Sequence, residues 1–170
     1  FPTRRSSDLP KEGAMLAIAI IDNIKSKGTK IIASTHYSDL KNYAYENDDI
    51  PVGAIIVKNN KIIGEGFNTR NRFKSVIGHA EINAIEMACK YIGDWRLDDC
   101  EMYVTLAPCV MCAGSILESR IKDVYYLCDR TNVCYDIEKI VDLKKINLPV
   151  EEERYMKILQ LFFENKRNKA

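Results

Sequence analysis

His79-Ala80-Glu81 and, further along, Pro108-Cys109-Val110-Met111-Cys112 are the residues whose types and spacing suit chemistry. One imidazole and two thiols in a C-x-x-C pattern make three metal ligands. The carboxylate beside the imidazole is left over. Zinc takes nitrogen and sulfur donors in a tetrahedron, and three protein ligands leave one corner for water. That is the arrangement of a catalytic zinc, not a structural one. Two thiolates balance the charge of Zn2+, so the site is close to neutral and can sit in a cleft. A metal brings the pKa of water from ~15.7 toward ~7. Glu81 is placed to accept the released proton and hand it on. A structural zinc needs a fourth protein ligand, and Cys100 and Cys128 are the candidates for it.

Two helices must begin at these motifs to bring them together. Residues 79–91 read as one, with Ile82, Ile85, Met87 and Ala88 as its inner face and Gly93 as its stop. Pro108 suits a helix start, where its missing N–H costs nothing, and residues 109–119 follow as the second helix. The positive end of that helix lowers thiol pKa and favours thiolates. Residues 51–57 and 61–67 read as a hairpin turning at Asn59-Asn60. Residues 101–106 and 122–127 are further strands, and residues 68–77 a polar loop. Residues 135–143 read as a short helix. Residues 151–166 form a long amphipathic one with Ile158, Leu159, Phe162 and Phe163. Alternating strands and helices predict an α/β fold, a three-layer α/β/α sandwich, with an N-terminal helix-strand appendage.

Composition sets the wider bounds. A chain of 170 residues with 46% apolar and 29% charged content suits one soluble domain and a small appendage. The formal net charge of +1 gives no global field for nucleic acid, so such binding needs a local patch. No apolar run approaches the ~20 residues of a membrane span. No signal-peptide pattern opens the chain, and a cytoplasmic location follows as the default. The six cysteines then read as two metal ligands and four reduced thiols.

Residues 1–9 lack periodicity, resemble the translation of a sequencing adapter and are set aside. Residues 10–48 read as a helix over 14–26 stopped by Gly28, a buried strand over 30–34, and a short helix that Ser38 caps. The words PKEGAMLAIAI and IIASTHYSDLKNYA resemble the ATPase domain of MutS-type mismatch-repair proteins. That resemblance makes His36 the histidine near the γ-phosphate. The chain has no G-x-x-x-x-G-K-[ST] to cradle phosphate, so no ATPase is expected. Where that resemblance ends, near residues 47–49, a join is expected, with a separate unit from residue 49 to 170.

A lone C-x-x-C also suits a redox pair, and a lone H-x-E arises by chance. Together they form the H-x-E…P-C-x-x-C signature of zinc nucleobase deaminases. The words IPVGAIIV, NNKIIGEGFN, HAEINAI, WRLDDCEMYVTL, PCVMCAGSILESRI and LFFENKR extend the likeness over residues 50–170. This stretch resembles the bacterial tRNA-specific adenosine deaminases (TadA-like) of the cytidine deaminase superfamily. The resemblance implies hydrolytic conversion of adenosine to inosine at the wobble position of a tRNA anticodon loop, Zn2+ as cofactor, and a homodimer. It implies that His79, Cys109 and Cys112 bind the zinc and that Glu81 shuttles protons. It implies that Asn68 and the Ala80 backbone contact the target base, and that Phe162 and Phe163 meet the anticodon loop. Lys166, Arg167 and Lys169 give the last helix a basic end suited to phosphate.

Three features depart from the family pattern. Leu106-Ala107-Pro108 stands where Leu-Glu-Pro is usual. Residues 129–136 replace a Gly/Ala-rich loop that borders the substrate. The helix expected before residue 51 is replaced by the 10–48 segment, where Tyr37, Leu40 and Ala44 could take over its inner face. Two other readings therefore stand beside the first. One is a free purine base or nucleoside deaminase of the guanine type, whose branch the run YYLCDRTNVCYDIEKI resembles. The other is a non-catalytic zinc-stabilised module.

Overall fold

The computed structural model describes residues 47–131 and 137–168. The N-terminal appendage, His36 and the inner-face positions Tyr37, Leu40 and Ala44 lie outside the described residues, as do Cys134 and Lys169.

The sheet grows from a hairpin. Strand β1 (Gly53–Lys58) returns as β2 (Lys61–Phe67) through Asn59 and Asn60. Both asparagines have positive φ, 50° and 60°. That is the primed two-residue turn whose twist matches the strands it joins. Ile55, Ile56 and Val57 are all buried, so β1 is covered on both faces. Strand β3 (Glu101–Leu106) runs antiparallel to β1 on its other side. Strands β4 (Asp123–Cys128) and β5 (Leu143–Lys145) then add parallel to it. The order is β2-β1-β3-β4-β5. Three elements between and beyond the strands matter for the site: α1 (Arg70–Phe73), α2 (Ala80–Ile92) and α3 (Val110–Glu118). A last helix, α4 (Pro149–Asn168), closes the described chain.

The layers follow from which strand residues point where. Ala54, Ile56, Met102, Val104 and Val124 face α2 and α3 and make the main core with Ala84, Ala88 and Ile116. Ile55, Val57 and Tyr103 point to the opposite face. On that side α4 packs Tyr155 and Leu159 against Leu127 and Cys128. This is the three-layer α/β/α sandwich expected from the sequence. Tyr155, Leu159 and Phe162 form the buried stripe of α4, at helical spacing. Glu151 and Glu152 in its first turn and Lys166 and Arg167 in its last suit the helix dipole.

The sequence reading differs from the structure in three places. Residues 135–143 do not form a helix where described: a single 3-10 turn at Ile137–Lys139 leads into β5. That three-residue edge strand is polar, and its two lysines carry no period-2 signal; pairing with β4 makes it a strand. The loop over 68–77 contains α1, whose start is held by a distant residue. The inner face of α2 is Ala80, Ala84, Ile85 and Ala88, while Ile82 and Met87 are only half-buried.

That small-residue face sets how closely α2 lies on β2. Gly64 and Gly66 face it, and a Cβ at Gly66 would collide with the carbonyl of Ala80 and sit 2.5 Å from Ala84 N. A Cβ at Gly64 would collide with the carbonyl of Ala84. The obstacle is backbone, which cannot rotate away. Gly66→Ala is therefore expected to cost about 1–3 kcal/mol of stability by overpacking. It should also lower metal retention, because it pushes the start of α2. A urea titration read alongside metal analysis checks both; an unchanged midpoint would mean that the contact is loose.

Candidate metal centre

Two helix starts converge at the C-terminal end of β3. His79 is the residue before α2, extended at φ −91° and ψ 150°, and its carbonyl accepts the N–H of Asn83 at 3.0 Å. Cys109 takes the matching place before α3, at φ −85° and ψ 172°, and its carbonyl accepts the N–H of Ala113 at 2.8 Å. Neither side chain caps its own helix. Both are turned instead toward each other. Cys112, one turn on, is fully buried.

Nδ1 of His79 lies 3.6 Å from Cys109 Sγ and 3.4 Å from Cys112 Sγ, and the two sulfurs are 3.5 Å apart. A tetrahedral zinc with Zn–S ≈ 2.3 Å and Zn–N ≈ 2.0–2.1 Å separates its ligands by about 3.6 Å (N to S) and about 3.8 Å (S to S). The triangle matches those spacings to within a few tenths of an ångström. Its donors, two soft sulfurs and an imidazole, are those zinc prefers. The His-Cys-Cys cluster thus fits Zn2+. Among the described residues it is the one group of three or more metal-type side chains whose ligand atoms cluster. Cys100 and Cys128 are engaged elsewhere, their thiols near the carbonyls of Asp98 and Glu152.

The electrostatics of the pair differ from the simple helix-dipole expectation. Cys109 is drawn down to about 3, chiefly by the hydrogen bond it shares with Cys112 and then by His79. Cys112 is pushed up by that same hydrogen bond, by burial and by the charge of Glu81. Two anionic sulfurs in contact repel, so one thiol keeps its proton until a cation takes its place. Glu81 is 3% exposed in the first turn of α2. Burial pushes its carboxyl above the usual carboxylate range, against lowering by its own backbone N–H and by His79. A carboxyl shifted this way holds a proton more readily than an exposed one, which suits a group that must both take and give one.

The site opens on a pocket. His79, Ala80 and Glu81 line it on one side, with Asn68, Val52, Leu106 and Ala107 around the rest. Asn68 is buried; its N–H donates to Val52 O at 3.1 Å, and its Oδ1 accepts the N–H of Arg70 at 3.4 Å. Ala107 brings no polar group to the wall. Of the other expected site residues, Phe162 is turned into the protein at 3% exposure. Phe163 is 43% exposed on the outer side of α4. It lines a second groove with Met156 and Lys157 that shares Ile50, Leu106 and Arg130 with the pocket. Sequence reasoning missed Arg70 and Arg130, which also line the pocket. Arg70 follows Asn68 closely enough to have been suspected, and Arg130 falls in the 129–136 loop that the resemblance sets beside the substrate, although its side chain was not singled out.

Comparison with known proteins agrees with this geometry. Residues 30–128 match the cytidine and deoxycytidylate deaminase zinc-binding region. A tRNA-specific adenosine deaminase of Buchnera aphidicola is 39% identical over 137 residues, 74% of this chain and 87% of that protein. A guanine deaminase of Bacillus subtilis is 41% identical over 105 residues, 60% of this chain and 66% of that protein. A solved structure from a study of A-to-I editing by tRNA:A34 deaminases superposes with a TM-score of 0.60 at 29% identity. It covers 68% of this chain and 91% of that one. With two helices delivering one histidine and a C-x-x-C pair to a common point, and with that match spanning both motifs, the chain belongs to the cytidine and deoxycytidylate deaminase zinc-binding family.

Proposed function

We propose that the protein is a zinc-dependent hydrolase that converts adenosine to inosine at the wobble position of a tRNA anticodon loop. The observation that carries the reading is the His79-Cys109-Cys112 triangle opening, beside buried Glu81, onto a pocket walled by Asn68 and Ala80. The tRNA-specific adenosine deaminases among its relatives support the substrate.

His79, Cys109 and Cys112 hold the zinc, which when bound supplies the Lewis acid that makes water acidic near pH 7. Glu81 does the proton work. It takes a proton from the attacking water and delivers it to N1 of the purine as the new C6–O bond forms. It then takes the second proton of that oxygen and gives it to the amino group. The C6–N bond breaks, ammonia leaves, and adenosine plus water becomes inosine plus ammonia. Asn68 offers hydrogen bonds to the edge of the base, and the Ala80 backbone meets its other side. Anticodon-loop bases are unstacked at low cost, so the target can enter the pocket. Phe163 provides an exposed ring in the adjoining groove for a flanking nucleotide. Phe162 supports it from behind, edge-on at 5.5 Å between ring centres. Arg167 lies beyond it for backbone phosphate, while Lys166 is held by Asp48 at 3.1 Å. A homodimer and a cytoplasmic location complete the reading. Among the described residues, no helix is long and apolar enough to cross a membrane.

A guanine-type free purine deaminase is the second reading, favoured by the Bacillus subtilis relative. The two part on substrate. Zinc-loaded protein should release ammonia from adenosine in an anticodon stem-loop and not from free guanine; the reverse pattern selects the second reading.

Glu81→Gln is expected to keep its zinc and its thermal midpoint while turnover falls by at least ~10²-fold, the usual range for a lost general acid–base. Full activity in that variant would remove Glu81 from the proton path. Cys112→Ser tests the ligand set. Disturbing groups that merely orient a ligand weakens metal binding ~10–100-fold, so loss of a ligand should weaken it more. Competition with a chelator measures this, and native affinity in the variant would place the metal elsewhere.

A further inference from the structure

The pocket wall that holds Asn68 is the start of a loop, residues 68–78, that leads directly to His79. Its apolar side chains do little to hold it: Phe73, Val76 and Ile77 are 47%, 67% and 52% exposed. Hydrogen bonds must therefore keep it in place. Asn83 of α2 holds the stem, its amide donating to Phe67 O at 2.7 Å and to Thr69 Oγ1 at 3.1 Å. The stem closes where Thr69 N–H meets Gly78 O at 2.7 Å. The outer turn hangs on Asp49. This carboxylate is 1% exposed. Its Oδ1 accepts the N–H of Asn71 at 2.6 Å and its Oδ2 the N–H of Arg72 at 3.2 Å. A buried carboxylate is stable only where such bonds replace water, and charge-assisted bonds to backbone N–H are strong ones. Next to it, Asn71 Nδ2 donates to Asp48 O.

We infer that Asp49 is a positioning residue for the deamination site: by holding the 68–78 loop at Asn71 and Arg72, it keeps Asn68 in the pocket wall. The inference rests on the proposed role of Asn68 at the base. Asp49 bonds to the loop backbone and does not line the pocket, so its effect passes through the loop.

The test is a double-substitution cycle on zinc-loaded protein with an anticodon stem-loop as substrate. Asp49→Ala should lower kcat/KM about tenfold or more with zinc per chain unchanged. Because Asp49 acts through Asn68, the Asp49→Ala/Asn68→Ala protein should lose no more than a further threefold beyond Asn68→Ala alone. Losses that multiply, or an Asp49→Ala enzyme with native kcat/KM, overturn the inference. Asp49→Asn keeps one accepting oxygen and should fall between native and alanine, and it serves if the alanine protein does not fold. Amide hydrogen exchange supplies a readout independent of substrate. The N–H groups of Asn71 and Arg72 should exchange at least tenfold faster in either variant, while β3 keeps its protection. Unchanged exchange also overturns the inference. Faster exchange in a protein whose parent releases no ammonia from any stem-loop would instead sink the substrate reading and leave the loop contact standing.

Discussion

Three electron-rich atoms held 3.4–3.6 Å apart are an arrangement that a folded chain does not favour unaided. A second thiolate in that cluster is repelled by the first, and Glu81 adds its own negative charge from close by. The fold accepts this because its two helices have nowhere else to start. β3 ends at Leu106, and Pro108 forbids continuation of the ladder, so Cys109 falls at the head of α3. α2 is clamped to β2 by alanines against glycines, and that fixes the start of the helix beside His79. A divalent cation relieves the repulsion, so metal binding and the stability of this corner are one free energy. The tight packing of Gly64 and Gly66 against α2 is thus tied to the chemistry as well as to the core.

Much of this was legible because it is local. Asn59-Asn60 between two apolar runs marks a hairpin whatever surrounds it, and both residues take the positive φ that such a turn demands. Gly93 ends α2 in the left-handed conformation, its N–H bonded to Cys89 O at 2.8 Å. The H-x-E and P-C-x-x-C words carry their own ligand chemistry, and their convergence follows once each heads a helix. What was not legible depends on partners far along the chain. β5 is a strand only because β4 lies beside it. α1 is started by Asp49, 22 residues earlier, which no window of sequence connects to it. The inner face of α2 was misjudged for a related reason. Hydrophobicity favours Ile82 and Met87, but closeness to a glycine-bearing strand selects alanine.

The last helix shows how one pair of neighbours can divide two tasks. Phe162 and Phe163 were equal candidates from their place in the sequence. Helical spacing sends them to different environments: Phe162 continues the Tyr155–Leu159 stripe inward, and Phe163 looks out over the groove. The exposed ring is the one available to stack on a base, a contact that needs no sequence-specific hydrogen bond. The two rings meet edge-on, 5.5 Å between centres. Phe163 lines the groove that adjoins the pocket, together with Asp129 and Glu153, while Arg70 and Arg130 line the pocket itself. Ala107 and Leu106 leave the intervening wall apolar.

The N-terminal edge of the described fold bears on where the catalytic unit begins. Asp49 is buried and bonded to the 68–78 loop, Asp48 pairs with Lys166 of α4, and Ile50 packs against both cores. Residues 48–50 are therefore tied to the fold by these contacts, and the match to the family reaches upstream to residue 30. A change in the chain here would have to leave those contacts intact, because they hold the loop on one side of the site and the last helix on the other. The contacts of Asp48 and Asp49 thus restrict the chain just ahead of β1. The first strand alone would not carry such a restriction, since its hairpin partner and β3 already fix its register. It is the polar residues ahead of the strand, not the strand, that tie the chain's entry point to the chemistry.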